Sequence, residues 1–131
     1  MLKTLKVSDY MAASLTTFKP EMEMRKAITH LVEKRISGAP VVDDHGNLVG
    51  MLSEADCMKV ALNAGYYDDF GGMVKDYMNT DVTTIDVDMS ILKLAQLFVD
   101  FPYRRYPVLQ NNRLVGQVSR RDVLRALKRI A

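Results

Sequence analysis

The chain has 131 residues, 48% of them hydrophobic and 26% charged, with 18 basic against 16 acidic side chains. That balance suits one compact domain with a sizeable core, argues against a disordered chain, and gives little electrostatic support to a general nucleic-acid or membrane-surface role. Cys57 is the single cysteine and forms no internal disulfide; no run approaches the ~18 apolar residues of a membrane span, and the opening MLKTLKVSDYM lacks the apolar region of a signal peptide, so the expected compartment is the cytoplasm.

In chain order, LTTF (15–18) is a short strand candidate. Met24, Ala27, Ile28, Leu31 and Val32 then recur at helical spacing, which predicts an amphipathic helix from about Met22 to Ser37, ended by Gly38. Pro40–Val42 and Leu48–Leu52 are β-rich runs separated by DDHGN, whose Asp, Gly and Asn are hairpin-turn residues. Ser53 starts a second helix with Ala55, Met58, Ala61 and Leu62 on one face and Gly65 at its end. GYYDDFGGM has the composition of a linker. VTTI (82–85) is the next strand candidate, followed by a helix with Ile91, Leu94, Ala95, Phe98 and Val99 on one face. Pro102 stops that helix near Asp100, because proline lacks a donor and restricts the residue before it. YPVL, the turn QNNR, LVGQV and a helix from Arg120 toward Ile130 complete the chain.

This order repeats. Laying Val7 on Val74 places VSDYM on VKDYM, LTTF on VTTI, Met22 on Met89 and APVV on YPVL; after a one-residue deletion at the turn, LVG (48–50) falls on LVG (114–116), Ser53 on Ser119 and Asp56 on Asp122. A duplicated unit is the simplest account, with residues 1–64 as the first copy, 65–73 as linker and 74–131 as the second. A unit of this size alone has a thin core, so the two copies are expected to fold as one.

GMLSEAD (50–56) and GQVSRRD (116–122) each hold a serine followed three residues later by an acid, the pattern of a capping box that satisfies the free N–H groups of a starting helix. That pattern by itself requires no ligand. The ordered set in each copy is DYM, a threonine (Thr17, Thr84), the proline–valine strand and G-x-x-S-x-x-D. Together these resemble the cystathionine-β-synthase (CBS) domain family, and two copies in tandem resemble the CBS pair, or Bateman module. The resemblance implies an α+β fold of two tandem β-α-β-β-α repeats packed as a pseudo-twofold intramolecular pair, with clefts between them that often bind AMP, ADP, ATP or S-adenosylmethionine.

Carried over position by position, the resemblance places Thr17, Ala39, Pro40, Ser53 and Asp56 of the first copy, and Thr84, Tyr106, Pro107, Ser119 and Asp122 of the second, at ligand sites. The chemistry is coherent: an ionised aspartate accepts from both hydroxyls of a ribose, and serine hydroxyls with N–H groups at a helix start suit phosphate oxygens. The copies differ in charge. Ser53 precedes Glu54 and Ala55, whereas Ser119 precedes Arg120 and Arg121, cations that oppose the helix dipole and are relieved by a bound phosphate; Arg104 and Arg105 are further phosphate candidates. The wider run Arg113, Arg120, Arg121, Arg125, Lys128 and Arg129 holds one acid, Asp122, which makes it a candidate anion-facing surface, with a solvated helix face as the alternative. Pro20 becomes Val87 and Gly38 becomes Arg105, so the helix-to-strand turn differs between copies.

Other motifs carry less. Asp69, Phe70 and Gly71 spell a kinase metal-binding triplet without its companion motifs. Asp43, Asp44 and His45 are consecutive at a hairpin tip and converge poorly on a metal. Cys57 lacks a nucleophile's partners, and nine methionines suit an adaptable core. The expected function is therefore a stand-alone, non-catalytic regulatory module without metal or catalytic cofactor. It would bind an adenine nucleotide, AMP first and ATP or ADP next, and act on a partner protein in trans. The resemblance adds a homodimer; nucleic acid and membrane insertion are not expected. The alternatives are a ligand-free structural or interaction module, an S-adenosylmethionine or NAD binder, and an enzyme acting on a nucleotide.

Overall fold

The computed structural model describes residues 1–63 and 71–131. The expected Gly65 helix stop, Asp69, Phe70 and most of the 65–73 linker lie outside the described residues. The elements are α1 (Met24–Lys34), β1 (Gly38–Val42), β2 (Leu48–Ser53), α2 (Glu54–Asn63), a single turn α3 (Val74–Tyr77), β3 (Ile85–Asp86), α4 (Ile91–Asp100), β4 (Arg105–Gln110), β5 (Arg113–Ser119) and α5 (Arg120–Ile130), after a 3-10 turn at Val7–Asp9. This is the mixed α+β arrangement of the expected repeat, twice.

The strand candidates at the threonines are shorter than their sequence suggests. LTTF contributes only a parallel bridge from Phe18 to Val41, and VTTI contributes the two-residue β3, which pairs in parallel with Val108 and Leu109 of β4. Burial sets the limit: Phe18 and Ile85 point into the cores at 1% and 3% exposure, while Thr17 stays exposed. The antiparallel hairpins form as expected. In β1–β2, Gly38 faces Ser53; in β4–β5, Arg105 faces Ser119. The first turn is held by Asp43, whose Oδ1 accepts from the His45 and Asn47 N–H groups at 2.9 Å each. In the second, Asn111 and Asn112 take φ of 53° and 65°, the left-handed pair of a type I′ hairpin.

Helix α1 ends earlier than the expected Ser37. Arg35 takes the left-handed conformation (φ 54°, ψ 45°) and the Ile36 N–H closes back on the Leu31 carbonyl at 3.1 Å, the bonding of a Schellman stop. Gly38 does not end the helix; it begins β1, where an added Cβ would stand 2.9 Å from the Leu52 carbonyl oxygen. Met24, Ala27 and Leu31 are buried as the spacing predicts, but Val32 is 70% exposed, and on α4 Val99 is 80% exposed beside buried Ile91 and Leu94. One unit's core is narrower than the full apolar stripe of either helix.

The largest difference from the sequence division concerns the opening motifs. The compact units are Met1–Leu15 with Thr83–Ala131, and Thr16–Val82. Each copy's DYM segment thus packs on the core of the other copy, so the units are not cut at 64 and 74 as the repeats are. Val7 and Tyr10 join Ile85, Ile91, Tyr106 and Val118. Val74 joins Phe18, Met24 and Leu52. Fully burying one such side chain stabilises by roughly 1.5–3 kcal/mol, and backbone pairing adds to it. Ala12 and Gln117 exchange N–H to carbonyl bonds at 2.8 and 2.9 Å, as do Met51 and Asn79 at 2.9 Å each. The glycines of the two LVG motifs make room: a Cβ on Gly116 would meet Ala12 O at 2.8 Å and Met11 Sδ at 2.7 Å, and one on Gly50 would meet Asn79 O at 3.0 Å and Met78 Sδ at 2.7 Å.

Candidate functional site

Each β-hairpin delivers its last residue, Ser53 or Ser119, to the start of a helix, and the three-residue spacing to aspartate closes a ring of hydrogen bonds. At the first, Asp56 Oδ2 accepts from the Ser53 N–H and from Ser53 Oγ, both at 2.9 Å, while the Asp56 N–H donates to Ser53 Oγ at 3.2 Å. At the second, Asp122 Oδ2 accepts from the Ser119 N–H at 2.8 Å and from Oγ at 3.1 Å, and the Asp122 N–H donates to Ser119 Oγ at 3.4 Å. Both serines and both aspartates are half-buried. The capping box expected from the sequence is thus present in both copies.

The other carboxylate oxygen separates the two sites. Arg125 Nη1 lies 2.7 Å from Asp122 Oδ1, a charge-assisted hydrogen bond, whereas Lys59 Nζ lies 3.5 Å from Asp56 Oδ1. The Glu54 N–H is taken by the Ser37 carbonyl at 2.9 Å and the Arg120 N–H by the Arg104 carbonyl at 3.2 Å. The free donors at the two helix starts are therefore the N–H groups of Ala55 and Arg121, fewer than the sequence pattern implied.

The arginines divide in the same way. Arg120 turns back from the helix start and donates from Nε to the Tyr103 carbonyl at 3.1 Å. This contact gives its guanidinium a carbonyl partner within its own unit. Arg104, Arg105 and Arg121 are exposed, and their side chains make no hydrogen bond or ion pair among the described residues. Ala39, Pro40, Tyr106 and Pro107 are buried in their strands. The Tyr106 ring points inward: its centroid lies 5.0 Å from that of Phe98, tilted, and 5.6 Å from that of Tyr103, edge-on, and its hydroxyl donates to the Leu97 carbonyl at 3.4 Å. Burial, with Tyr103 adding to it, pushes the Tyr106 phenol above its ordinary value against an opposing pull from Arg120. The Tyr106 side chain is turned into the core, at 1% exposure.

Thr17 is exposed next to Phe18, and Thr84 lines a recess of about 340 Å³ with Asp86, Leu109, Asn111 and Asn112, toward the β4–β5 turn. A second recess, about 600 Å³, is lined by Glu23, Arg25, Met73, Lys75 and Asp76 among others. Neither recess is lined by the serine–aspartate pairs. Burial raises the Cys57 thiol above its ordinary value, reinforced by Asp56 and Glu54, so it is a poor nucleophile. No cluster of metal-ligating side chains occurs among the described residues, and no helix is long and apolar enough to cross a membrane. Sequence reasoning did not assign Lys59 and Arg125 to the aspartates three residues before them, although Arg125 stood in the basic run, nor find the pairing of Arg129 Nη1 with the Tyr10 hydroxyl at 3.2 Å. The first could have been found as a cation one helical turn beyond each acid; the second joins residues at opposite ends of the chain.

A helix-capped serine–aspartate pair at the end of a β-hairpin, built twice in an α+β frame, defines a tandem repeat module. The chain belongs to the CBS domain family, whose model matches residues 7–63 and 74–129. Among solved structures it is similar to CBSX2 in complex with AMP, at 29% identity and a TM-score of 0.82, with 96% of this chain and 98% of that one covered. An uncharacterized protein of Methanocaldococcus jannaschii is 30% identical over 136 residues, and the A-adding tRNA nucleotidyltransferase of Aquifex aeolicus is 29% identical over 124. Each match covers 95% of this chain but only 32% and 14%, respectively, of those longer relatives.

Proposed function

We propose that this CBS pair is a regulatory module that binds an adenosine-containing nucleotide, AMP ahead of ADP and ATP, and acts in the cytoplasm on a partner protein in trans. The observation that carries this reading is the likeness along nearly the whole chain to CBSX2, a protein solved with AMP. Asp56 and Asp122 are the ribose acceptors, with Oδ2 positioned by serine and Oδ1 facing a displaceable cation. Arg104, Arg105 and Arg121 are the phosphate-facing cations, and the free Arg121 N–H is the matching backbone donor. Thr17 and Thr84, with the backbone at Ala39, Pro40, Tyr106 and Pro107, complete the two sites. Ligand would favour one arrangement of the chain by its differential affinity for the two states.

A second reading is favoured by the completed capping boxes: the serines and aspartates serve the helices alone, and the module is structural. Asp122→Ala separates the two. Both readings lose about 1 kcal/mol of stability with the cap; only the nucleotide reading also loses AMP binding at that site. Calorimetric titration of AMP, ADP, ATP, S-adenosylmethionine and NAD checks this. No binding of any of the five to the unaltered protein would sink the nucleotide reading, and turnover of a bound nucleotide would sink the regulatory one.

A further inference from the structure

Asp122 does not end in solvent. The guanidinium that meets its Oδ1 at 2.7 Å, Arg125, also lies over the Tyr10 ring, 5.8 Å from its centroid. One turn further along α5, Arg129 donates to the Tyr10 hydroxyl at 3.2 Å, and that hydroxyl holds the Arg129 guanidinium above its ordinary value. Tyr10 belongs to the opening segment, is 6% exposed, and is followed by Ala12, whose N–H bonds to Gln117 at 2.8 Å. One exposed helix face therefore runs from the aspartate at its start to the aromatic ring that docks residues 1–15. The other unit has only part of this: Asn63 reaches the Tyr77 hydroxyl at 3.5 Å, but Lys59 sits 3.5 Å from Asp56 and forms no cation–π pair with the Tyr77 ring among the described residues.

We propose that Arg125 is a positioning residue that couples the ligand state of Asp122 to the docking of the opening segment, a coupling the first copy lacks. This rests on the reading of Asp122 as a ribose acceptor. A ribose hydroxyl donating to Oδ1 competes with Arg125 for that oxygen. A guanidinium released from Asp122 takes a new position over Tyr10. Linkage makes the effect reciprocal: the docked segment, by holding Arg125 against Asp122, sets the nucleotide affinity of this site. Arg125 is 57% exposed, while Asp122 at 13% is held by the serine. The arginine is therefore the moving part.

The test is amide hydrogen exchange at Ala12, referred to the buried Val118 amide so that global stability cancels. In the ligand-free protein, Arg125→Gln is expected to speed Ala12 exchange about two- to fivefold, the size of an exposed cation–π contact. Asp122→Asn, which leaves Arg125 unanchored, speeds it too, and the double variant goes no further than Arg125→Gln alone. Rates unchanged in either single variant, or effects that multiply in the double, overturn the proposal. Saturating AMP is expected to change Ala12 exchange in the unaltered protein and not in Arg125→Gln; AMP that binds without changing it also overturns the coupling. If AMP does not bind at all, the nucleotide reading fails, while the ligand-free comparison still decides whether Arg125 links Asp122 to the segment.

Discussion

Asp43 shows how one carboxylate closes a hairpin. Its oxygens accept the Asn47 and His45 N–H groups and the Asn47 side-chain amide. The Asn47 backbone bond is the leading cause that lowers its pKa below the ordinary 3.8; burial opposes it, and the His45 N–H, the Asn47 side-chain amide and the charge of His45 assist. Because the folded value lies below the unfolded one, the turn's contribution is fully present above that ordinary value. It is lost as pH falls through the folded-state value. The His45 and Asn47 amide resonances are therefore expected to titrate together below pH 3.8, followed by NMR; a midpoint at or above that value would show that the carboxylate is not held as described. Ser53 and Ser119 teach a related lesson. A side chain that caps a helix is already oriented by that role, so capping and ligand binding at one aspartate are compatible uses of two different oxygens.

Strands β2 and β5 show at the scale of an element why the repeated motif is LVG. Residues 11–12 and 78–79 run alongside Gly116 and Gly50, and the backbone pairs Ala12–Gln117 and Met51–Asn79 close the approach. Gly116→Ala places a methyl group 2.8 Å from a carbonyl oxygen that is itself tied into a bridge, so the strand or the segment must shift. The expected loss is on the order of 1–3 kcal/mol, the cost of overpacking a filled site, measured by urea denaturation. A flexible methionine sulfur stands at 2.7 Å in both, but at Gly50 the nearest backbone atom is further away, at 3.0 Å, so Gly50→Ala should cost less. An equal or reversed order would show that the carbonyls do not set the limit.

For the whole molecule, the exposed apolar side chains bear on assembly. Met58 and Leu62 on α2, and Leu124 and Leu127 on α5, lie on helix faces that their own units do not cover, at 38% to 77% exposure. We propose that these faces take a second copy of the chain. A dimer is the expected species by light scattering after size exclusion. Leu124→Glu combined with Met58→Glu is expected to give a folded monomer by the same measurement. A monomeric unaltered protein at its highest soluble concentration would sink the assembly. This chain spans about a third or less of the length of two of the relatives it matches.

Much of this was legible from residue order. The duplication, the hairpins with Asp43–Asn47 and Asn111–Asn112 at their turns, the end of α4 before Pro102 and both serine–aspartate boxes rest on local bonding within a few residues, and local bonding is written in spacing. The helix stop at Arg35 was hidden because arginine seldom takes the left-handed conformation, and Gly38 offered a more obvious punctuation mark. Val32 and Val99 looked like core because periodicity reports a stripe, not how much of it one partner layer covers. The exchange of the DYM segments, the Arg120 clamp on Tyr103 and the Arg125–Tyr10–Arg129 face join residues far apart in the chain. Such contacts follow from which surfaces bury best together, and that choice is made only when the tertiary structure forms.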